Sequence, residues 1–495
     1  MGLCSSVHTK LNVPHSFHQN YFAIQLSSIH ALRLILAPKE IIKATQECLA
    51  SRWTLMKVNE MNGVVEFHLR ESVWNKINYW EKIETKYFFC SLFERFYSLG
   101  WHLKLSTDLN SNNSFANVIY FHKEEVALYT SVICLNFFAP NKISILADND
   151  VKSLIKECVR TNWSAGIERE EIVGQSLELN LKGDPWSDSQ RNESRPSVEV
   201  PSLVTSIMES LFRKNWIFVS AINSDIDFYG ILSSYSRSKH LNSLYFRYSS
   251  TEINLKDVQN TQFFSMSLNK DNRLRLNKAN RDLICILQNT DWGIPKLWTG
   301  GIEGEYIIYD SYEFKLKGNA WRTDEERDNV KSKHFLYNLF NLLARYGYVT
   351  YATCNMTDDL RGKSIFVFRS KPVEPKSLKN MCVSINKGDL IQFFNLDSNQ
   401  ISLLREAIVQ GWPKGMQREE KLFGDETWMV KLKGSPFRSK FLATTDSLHA
   451  CVMMLFVLNR IENMGYRLIC NGLVREREIG GESQYELSTW FFENA

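Results

Sequence analysis

The chain has 495 residues, a length that corresponds to about three to four domains of ordinary size. Apolar residues make up 44% of it and aromatics 13%, enough for several packed cores, which excludes disorder over most of the length. Lys and Arg number 59 against 55 Asp and Glu, and the resulting charge of +4 is too small and too dispersed for a nucleic-acid footprint, so no nucleic-acid partner is expected.

The first six residues, Met1-Gly2-Leu3-Cys4-Ser5-Ser6, fit the M-G-x-x-x-[ST] pattern for myristoylation of Gly2. One myristoyl chain holds a membrane only marginally, and Cys4 stands where a second, palmitoyl chain would be added. The stretch resembles the dually acylated N-termini of membrane-tethered kinases and G-protein subunits. That resemblance covers six residues and implies no kinase or GTPase fold. Residues 1–19 are expected to form an acylated flexible tether, with His8, His15 and His18 as solvated positions rather than a metal site. No apolar run reaches the ~18–20 residues of a membrane span.

From residue 20 the sequence repeats itself four times. Unit 1 (20–124) opens with a hairpin over Phe22 to Ala37, has a helix ending at Trp53, a worn landmark strand at 67–74, and a second helix with Phe89, Leu92, Phe93 and Phe96 on its apolar face. Unit 2 (130–250) repeats this with a hairpin from Val132 to Ala147, a helix ending at Trp163, the landmark Leu179-Asn180-Leu181-Lys182-Gly183-Asp184-Pro185-Trp186, and a helix with Val204, Ile207, Met208, Leu211 and Phe212. It carries polar insertions at Ser187 to Pro201 and around Asp225 to His240. In unit 3 (260–372) the hairpin spans Phe263 to Leu276, and a first helix with Leu283, Ile284 and Leu287 is expected to end near Trp292. Its landmark strand should place Tyr312, Phe314 and Leu316 in the core and Glu313, Lys315 and Lys317 on a wet face. A polar loop from Arg322 to Lys331 leads to the longest helix, from Phe335 to Tyr346. Unit 4 (378–495) has a hairpin from Cys382 to Phe394, a helix ending at Trp412, the landmark Val430-Lys431-Leu432-Lys433-Gly434-Ser435-Pro436-Phe437, and a helix with Val452, Leu455, Phe456 and Ile461. Each second helix ends in Gly or Asn plus an aromatic (Gly100-Trp101, Asn215-Trp216, Gly347-Tyr348, Gly465-Tyr466), and seven residues past the aromatic stand Asp108, Asn223 and Asn355, suited to turns. The fold class is α+β: a tandem array of four homologous units, each strand-strand-helix-strand-helix-strand-strand with a largely antiparallel sheet.

The ten cysteines show no CxxC pair and read as small core residues. No Walker, G-x-S-x-G, H-E-x-x-H, dinucleotide or kinase signature occurs, so no catalytic, cofactor or metal residue is assigned. Residues of catalytic type are not seen to recur at matched positions of the units. The turns Lys182-Gly183, Lys317-Gly318 and Lys433-Gly434 are candidate anion contacts, although structural turns are the simpler reading. The sequence points to a lipid-anchored scaffold or adaptor without catalysis, at the cytoplasmic face of a membrane (the plasma membrane for preference), with protein partners. The alternative is an enzyme or a protein that binds a small ligand or anionic lipid in clefts between adjacent units.

Overall fold

The computed structural model describes residues 20–74, 79–110, 117–138, 140–186, 195–224, 241–250, 260–321, 326–356, 363–372, 380–386, 388–422, 427–438, 444–474 and 486–494. Gly2 and Cys4 lie outside them, as do residues 225–240, and so do Asp358 and Gly362, expected with Asn355 to form the turn between the last two strands of unit 3. Among the described residues there are nine helices and 24 strands.

Unit 1 runs β1 (Tyr21–Ser28), β2 (Ala31–Ile35), α1 (Lys39–Ala50), β3 (Leu55–Met61), β4 (Val64–Leu69), α2 (Tyr79–Ser98), β5 (Trp101–Thr107) and β6 (Val118–Lys123). Unit 2 repeats the order as β7 (Val132–Phe138), β8 (Lys142–Leu146), α3 (Asn149–Asn162), β9 (Ile167–Val173), β10 (Ser176–Leu181), α4 (Pro196–Phe212), β11 (Trp216–Ile222) and β12 (Ser243–Tyr248). Unit 3 comprises β13 (Phe263–Asn269), β14 (Arg273–Asn277), α5 (Arg281–Gln288), a short α6 (Ile294–Leu297), β15 (Ile302–Ile308), β16 (Ser311–Leu316), α7 (Glu326–Arg345), β17 (Tyr348–Cys354) and β18 (Ile365–Ser370). Unit 4 comprises β19 (Asn380–Asn386), β20 (Leu390–Phe394), α8 (Ser398–Gly411), β21 (Met416–Leu422), β22 (Thr427–Leu432), α9 (Thr445–Asn463), β23 (Tyr466–Gly472) and β24 (Glu486–Asn494). Each unit is one six-stranded antiparallel sheet, and the first has the order β3-β4-β2-β1-β6-β5; the other three follow the same plan.

The structure adds one strand per unit to the order expected from sequence: β3, β9, β15 and β21. These are edge strands, exposed at most positions, and their charged runs (Glu168 to Glu171, Arg418 to Lys421) hide the alternation that marks a half-buried strand. Charge on an open edge also discourages pairing with another chain. In unit 3 the tryptophan equivalent to Trp163 and Trp412 is Trp298, not Trp292. The indole N–H groups of Trp163, Trp298 and Trp412 donate to the carbonyls of Lys182, Lys317 and Lys433 at 3.1, 2.9 and 3.1 Å, whereas Trp292 is nearly half exposed. The residues of the insertion of α6 displaced this anchor along the sequence. The segment up to Pro201, expected as polar insertion, is from Pro196 onward the start of α4, with Pro near the first helical position where its missing N–H costs nothing. Likewise α7 begins at Glu326, inside the expected loop.

The units are not separate beads. The second helix of each unit is packed between its own sheet and the far face of the next unit's sheet. Phe93 of α2 meets Tyr245 of unit 2 at 5.3 Å between ring centroids, Phe212 of α4 meets Phe263 of unit 3 at 5.4 Å, and Phe340 of α7 meets Phe491 of unit 4 at 4.8 Å. Then α9 turns back to unit 1, where the Tyr120 hydroxyl donates to the Cys451 carbonyl at 3.2 Å and Tyr21, Ala23 and Ile35 join the core of unit 4. The four units therefore close into a ring. Glu313, expected on a wet face, is fully buried for this reason: the second face of its sheet is covered by α4 of the preceding unit.

Burial on two sides explains the composition of these helices. In α9 every residue from Ser447 to Leu458 is buried, and a helix apolar all round is one enclosed on all sides. None of the described helices is long and apolar enough to cross a membrane. Close approach of α8 to α9 depends on Gly411, where an added Cβ would fall 2.4 Å from the Cα of Met453. Gly411→Ala is expected to destabilise the protein by about 1–3 kcal/mol through overpacking, read as a lowered midpoint in urea denaturation.

Candidate functional site

Two features of the ring carry chemistry: a polar layer between units, and a cavity on the ring axis. The polar layer follows from strand register. The pairs β2·β4, β8·β10, β14·β16 and β20·β22 bring one residue of each strand opposite the other on the face that meets the preceding unit: Arg33 with Glu66, Ser144 with Glu178, Arg275 with Glu313, and Gln392 with Met429. A carboxylate thus does recur at a matched position in three of four units. The sequence does not display this recurrence, because the landmark strands of units 1 and 2 are recognised from Phe67 and Leu179, one residue past Glu66 and Glu178, and Glu313 alone is expected, on a wet face.

Each buried carboxylate is neutralised differently. Glu66 accepts from Arg33 at 3.0 Å and from Ser27 at 2.5 Å; burial pushes its pKa up, but Arg33, Ser27 and His68 outweigh burial and hold it below the ordinary carboxylate value. Glu313 takes the guanidinium of Arg275 at 2.8–2.9 Å, and Arg275 also donates to Ser197 of α4, which ties unit 2 to unit 3. Glu178 has a serine, Ser144, opposite it instead of arginine; it accepts from Ser176 at 2.8 Å, and burial pushes its pKa up to about 8. Unit 4 has Gln392 and Met429 and needs no counter-charge. A second set of links arises from one equivalent helix position: Lys86 of α2 donates to Ser224 of unit 2, Lys333 of α7 pairs with Glu486 of unit 4, and Cys451 of α9 accepts from Gln25 of unit 1.

The cavity lies where the terminal strands β5, β11, β17 and β23 of the four sheets face one another, and its volume is about 310 Å³. All four strands carry a bulge at the same place, leaving Lys104, Val219, Tyr351 and Ile469 outside the ladder, and all four line the cavity. Bulges of this kind re-aim a strand next to a site. Around it the units are stitched by a repeated exchange. The Asn117 N–H donates to the Asn223 carbonyl at 2.8 Å while the Asn223 N–H donates to Asn117 Oδ1 at 2.6 Å. Asn242 and Asn355 repeat the pattern at 3.3 and 2.7 Å, and Ser364 with Leu473 at 2.9 and 2.8 Å. Asn223 and Asn355, expected only as turn formers, are thus joints between units. At the closing contact the Asn471 amide donates to the Ser106 carbonyl at 2.8 Å, the Trp490 indole to Thr107 Oγ1 at 3.1 Å, and Lys104 stands 2.6 Å from Glu462.

The Lys182-Gly183, Lys317-Gly318 and Lys433-Gly434 turns are exposed, and none lines this cavity. Their glycines have φ of +84°, +80° and +82°, and each lysine N–H donates to a glycine carbonyl (Gly166, Gly301, Gly415) at 3.0 Å. Such conformations explain the glycine without a ligand. Among the described residues no group of three or more His, Cys, Asp or Glu is placed to hold a metal ion, and the described cysteines form no disulfide.

Fold and site define a closed ring of four copies of one α+β domain. A single family model matches the sequence four times, over residues 20–122, 131–247, 262–369 and 379–493, and the chain belongs to the family defined by that domain. Among solved structures, a conserved kinetoplastid-specific protein from Trypanosoma cruzi is similar at 18% identity, covering 24% of this chain and 99% of its own, with a TM-score of 0.18. A search of curated proteins returned no match.

Two tests bear on the polar layer. Glu313 also pairs with Arg273, so Arg275→Met with Arg273→Leu is the change that strands the buried carboxylate and is expected to cost about 3–5 kcal/mol, whereas Arg273→Leu, Arg275→Gln and Glu313→Met together, which transplant Leu390, Gln392 and Met429 of unit 4, should recover most of that loss in denaturation measurements. For Glu178 the folded pKa lies above the unfolded one, so its contribution is full below the ordinary carboxylate pKa and is lost as pH rises toward 8. Glu178→Gln should therefore flatten the fall of stability between about pH 5 and pH 8, measured as urea midpoints across that range.

Proposed function

We propose that the chain is a lipid-anchored scaffold, held at the cytoplasmic face of the plasma membrane by acyl groups on Gly2 and Cys4 and acting without catalysis of its own. The observation that carries this reading is the N-terminal pattern Met1-Gly2-Leu3-Cys4-Ser5-Ser6, followed by a polar stretch before β1. The ring supports it by what it offers partners: four equivalent outer edges with different side chains. Strand β9 presents Glu168, Arg169, Glu170 and Glu171, and β21 presents Arg418, Glu419, Glu420 and Lys421; by contrast β15 presents Tyr306 and Ile307, the latter 78% exposed. One protein can thus hold unlike partners at fixed relative positions, and tethering raises their effective concentration on the same membrane.

Metabolic labelling with myristate and palmitate analogues tests the anchor. Gly2→Ala should abolish both labels and move the protein to the soluble fraction, while Cys4→Ser should keep the myristate label, lose palmitate and weaken membrane retention. Intact labelling and fractionation in Gly2→Ala would overturn the reading.

A further inference from the structure

We propose that the axial cavity is a binding site for a neutral, polyhydroxylated ligand, a sugar or polyol of one or two rings. The proposal is independent of the lipid anchor. At about 310 Å³ the cavity sits at the lower end of the ~300–1,000 Å³ typical of small-molecule sites, and it is built by all four units rather than by any pair.

Some of its hydrogen-bonding groups are donors with no acceptor among the described residues. Oδ1 of Asn117 and Oδ1 of Asn242 accept from the backbone N–H groups of Asn223 and Asn355, which fixes the orientation of both amides. Their Nδ2 groups have no hydrogen-bond acceptor among the described residues. The Ser106 hydroxyl, in a residue only 3% exposed, likewise has none. Thr107 Oγ1 accepts from the Trp490 indole and retains its own proton to donate. A buried polar atom left unpaired is costly, so the Ser106 hydroxyl marks a place where a ligand or water completes the set, and the half-buried Asn117 and Asn242 amides add donors beside it.

Charge selects the ligand class. Among the described lining residues Lys104 and Asp108 are the only acidic or basic side chains, they are of opposite sign, and Lys104 already faces Glu462 at 2.6 Å. Among the described residues a phosphate or carboxylate would find no uncompensated cation here, whereas hydroxyl oxygens accept from amide and hydroxyl donors without any charge to balance. Phe218 and Tyr351, with ring centroids 6.2 Å apart, supply apolar surface of the kind on which the C–H face of a sugar ring packs.

The test titrates trehalose, maltose and myo-inositol separately into the full chain, with inorganic phosphate as the anionic comparison, and reads binding by saturation-transfer NMR and calorimetry. At least one neutral probe is expected to bind at millimolar concentration or below, and phosphate to bind none. The double substitution Asn117→Asp with Asn242→Asp keeps both Oδ1 acceptors of the inter-unit joints but removes the amino donors, and should weaken binding about tenfold or more. Ala221→Phe, which fills the cavity from β11, should abolish it; a thermal melt checks that each variant is folded. Failure of all three neutral probes, binding of phosphate in their place, or binding unchanged in folded Ala221→Phe protein would each overturn the proposal.

Discussion

The structure depends on one constraint: the second helix of each unit is apolar on two sides and must be covered twice. Its own sheet covers one side, and only another sheet of the same kind offers the right surface for the other. Each unit therefore lends its helix to the next, and each sheet loses its solvated face to the helix of the unit before. Repeating this step four times returns to the start, so α9 covers the sheet of unit 1 across more than 300 residues of chain. Closure removes the two ends that an open stack would leave exposed, and with them the need for capping units.

That arrangement explains why charge is found between apolar layers. A sheet face that meets a helix on one side and stays in register on the other tolerates polar groups only as matched sets. The arginine–glutamate pairs of units 1 and 3, the serine-supported Glu178 of unit 2 and the Gln392 and Met429 of unit 4 are four solutions to one position. They differ in charge but all satisfy the requirement that no buried ion stands alone. An ion pair and an uncharged pair thus serve at the same position.

The axis follows from the same geometry. Four twisted sheets arranged around a centre bring their terminal strands together, and terminal strands have backbone groups that the ladder does not use. Asparagine side chains complete some of them by exchanging hydrogen bonds across the joints, and the bulges at Lys104, Val219, Tyr351 and Ile469 open the space that remains.

Much of the architecture was legible in the sequence because local features recur. The glycine turn after the landmark strand, the tryptophan ending the first helix and the Gly or Asn before an aromatic at the end of the second are all fixed by backbone conformation or by one hydrogen bond. Repetition made them visible without knowledge of the fold. The charged edge strands were not legible, because alternation vanishes where neither face is buried. The shift from Trp292 to Trp298 was not legible either, since two tryptophans six residues apart satisfy the same pattern until one is seen donating to the Lys317 carbonyl.

The sequence by itself determined that one α+β unit is present four times, with its two main helices and five of its six strands, because propensity, periodicity and glycine placement act over a few residues. Only the tertiary structure decided that the array closes on itself, that Glu313 is buried and that Asn117 and Asn242 face a common cavity. Those facts depend on which surface covers which. Burial of a second face is a property of residues far apart in the chain, and the unbroken apolar run of α9 was its one local trace.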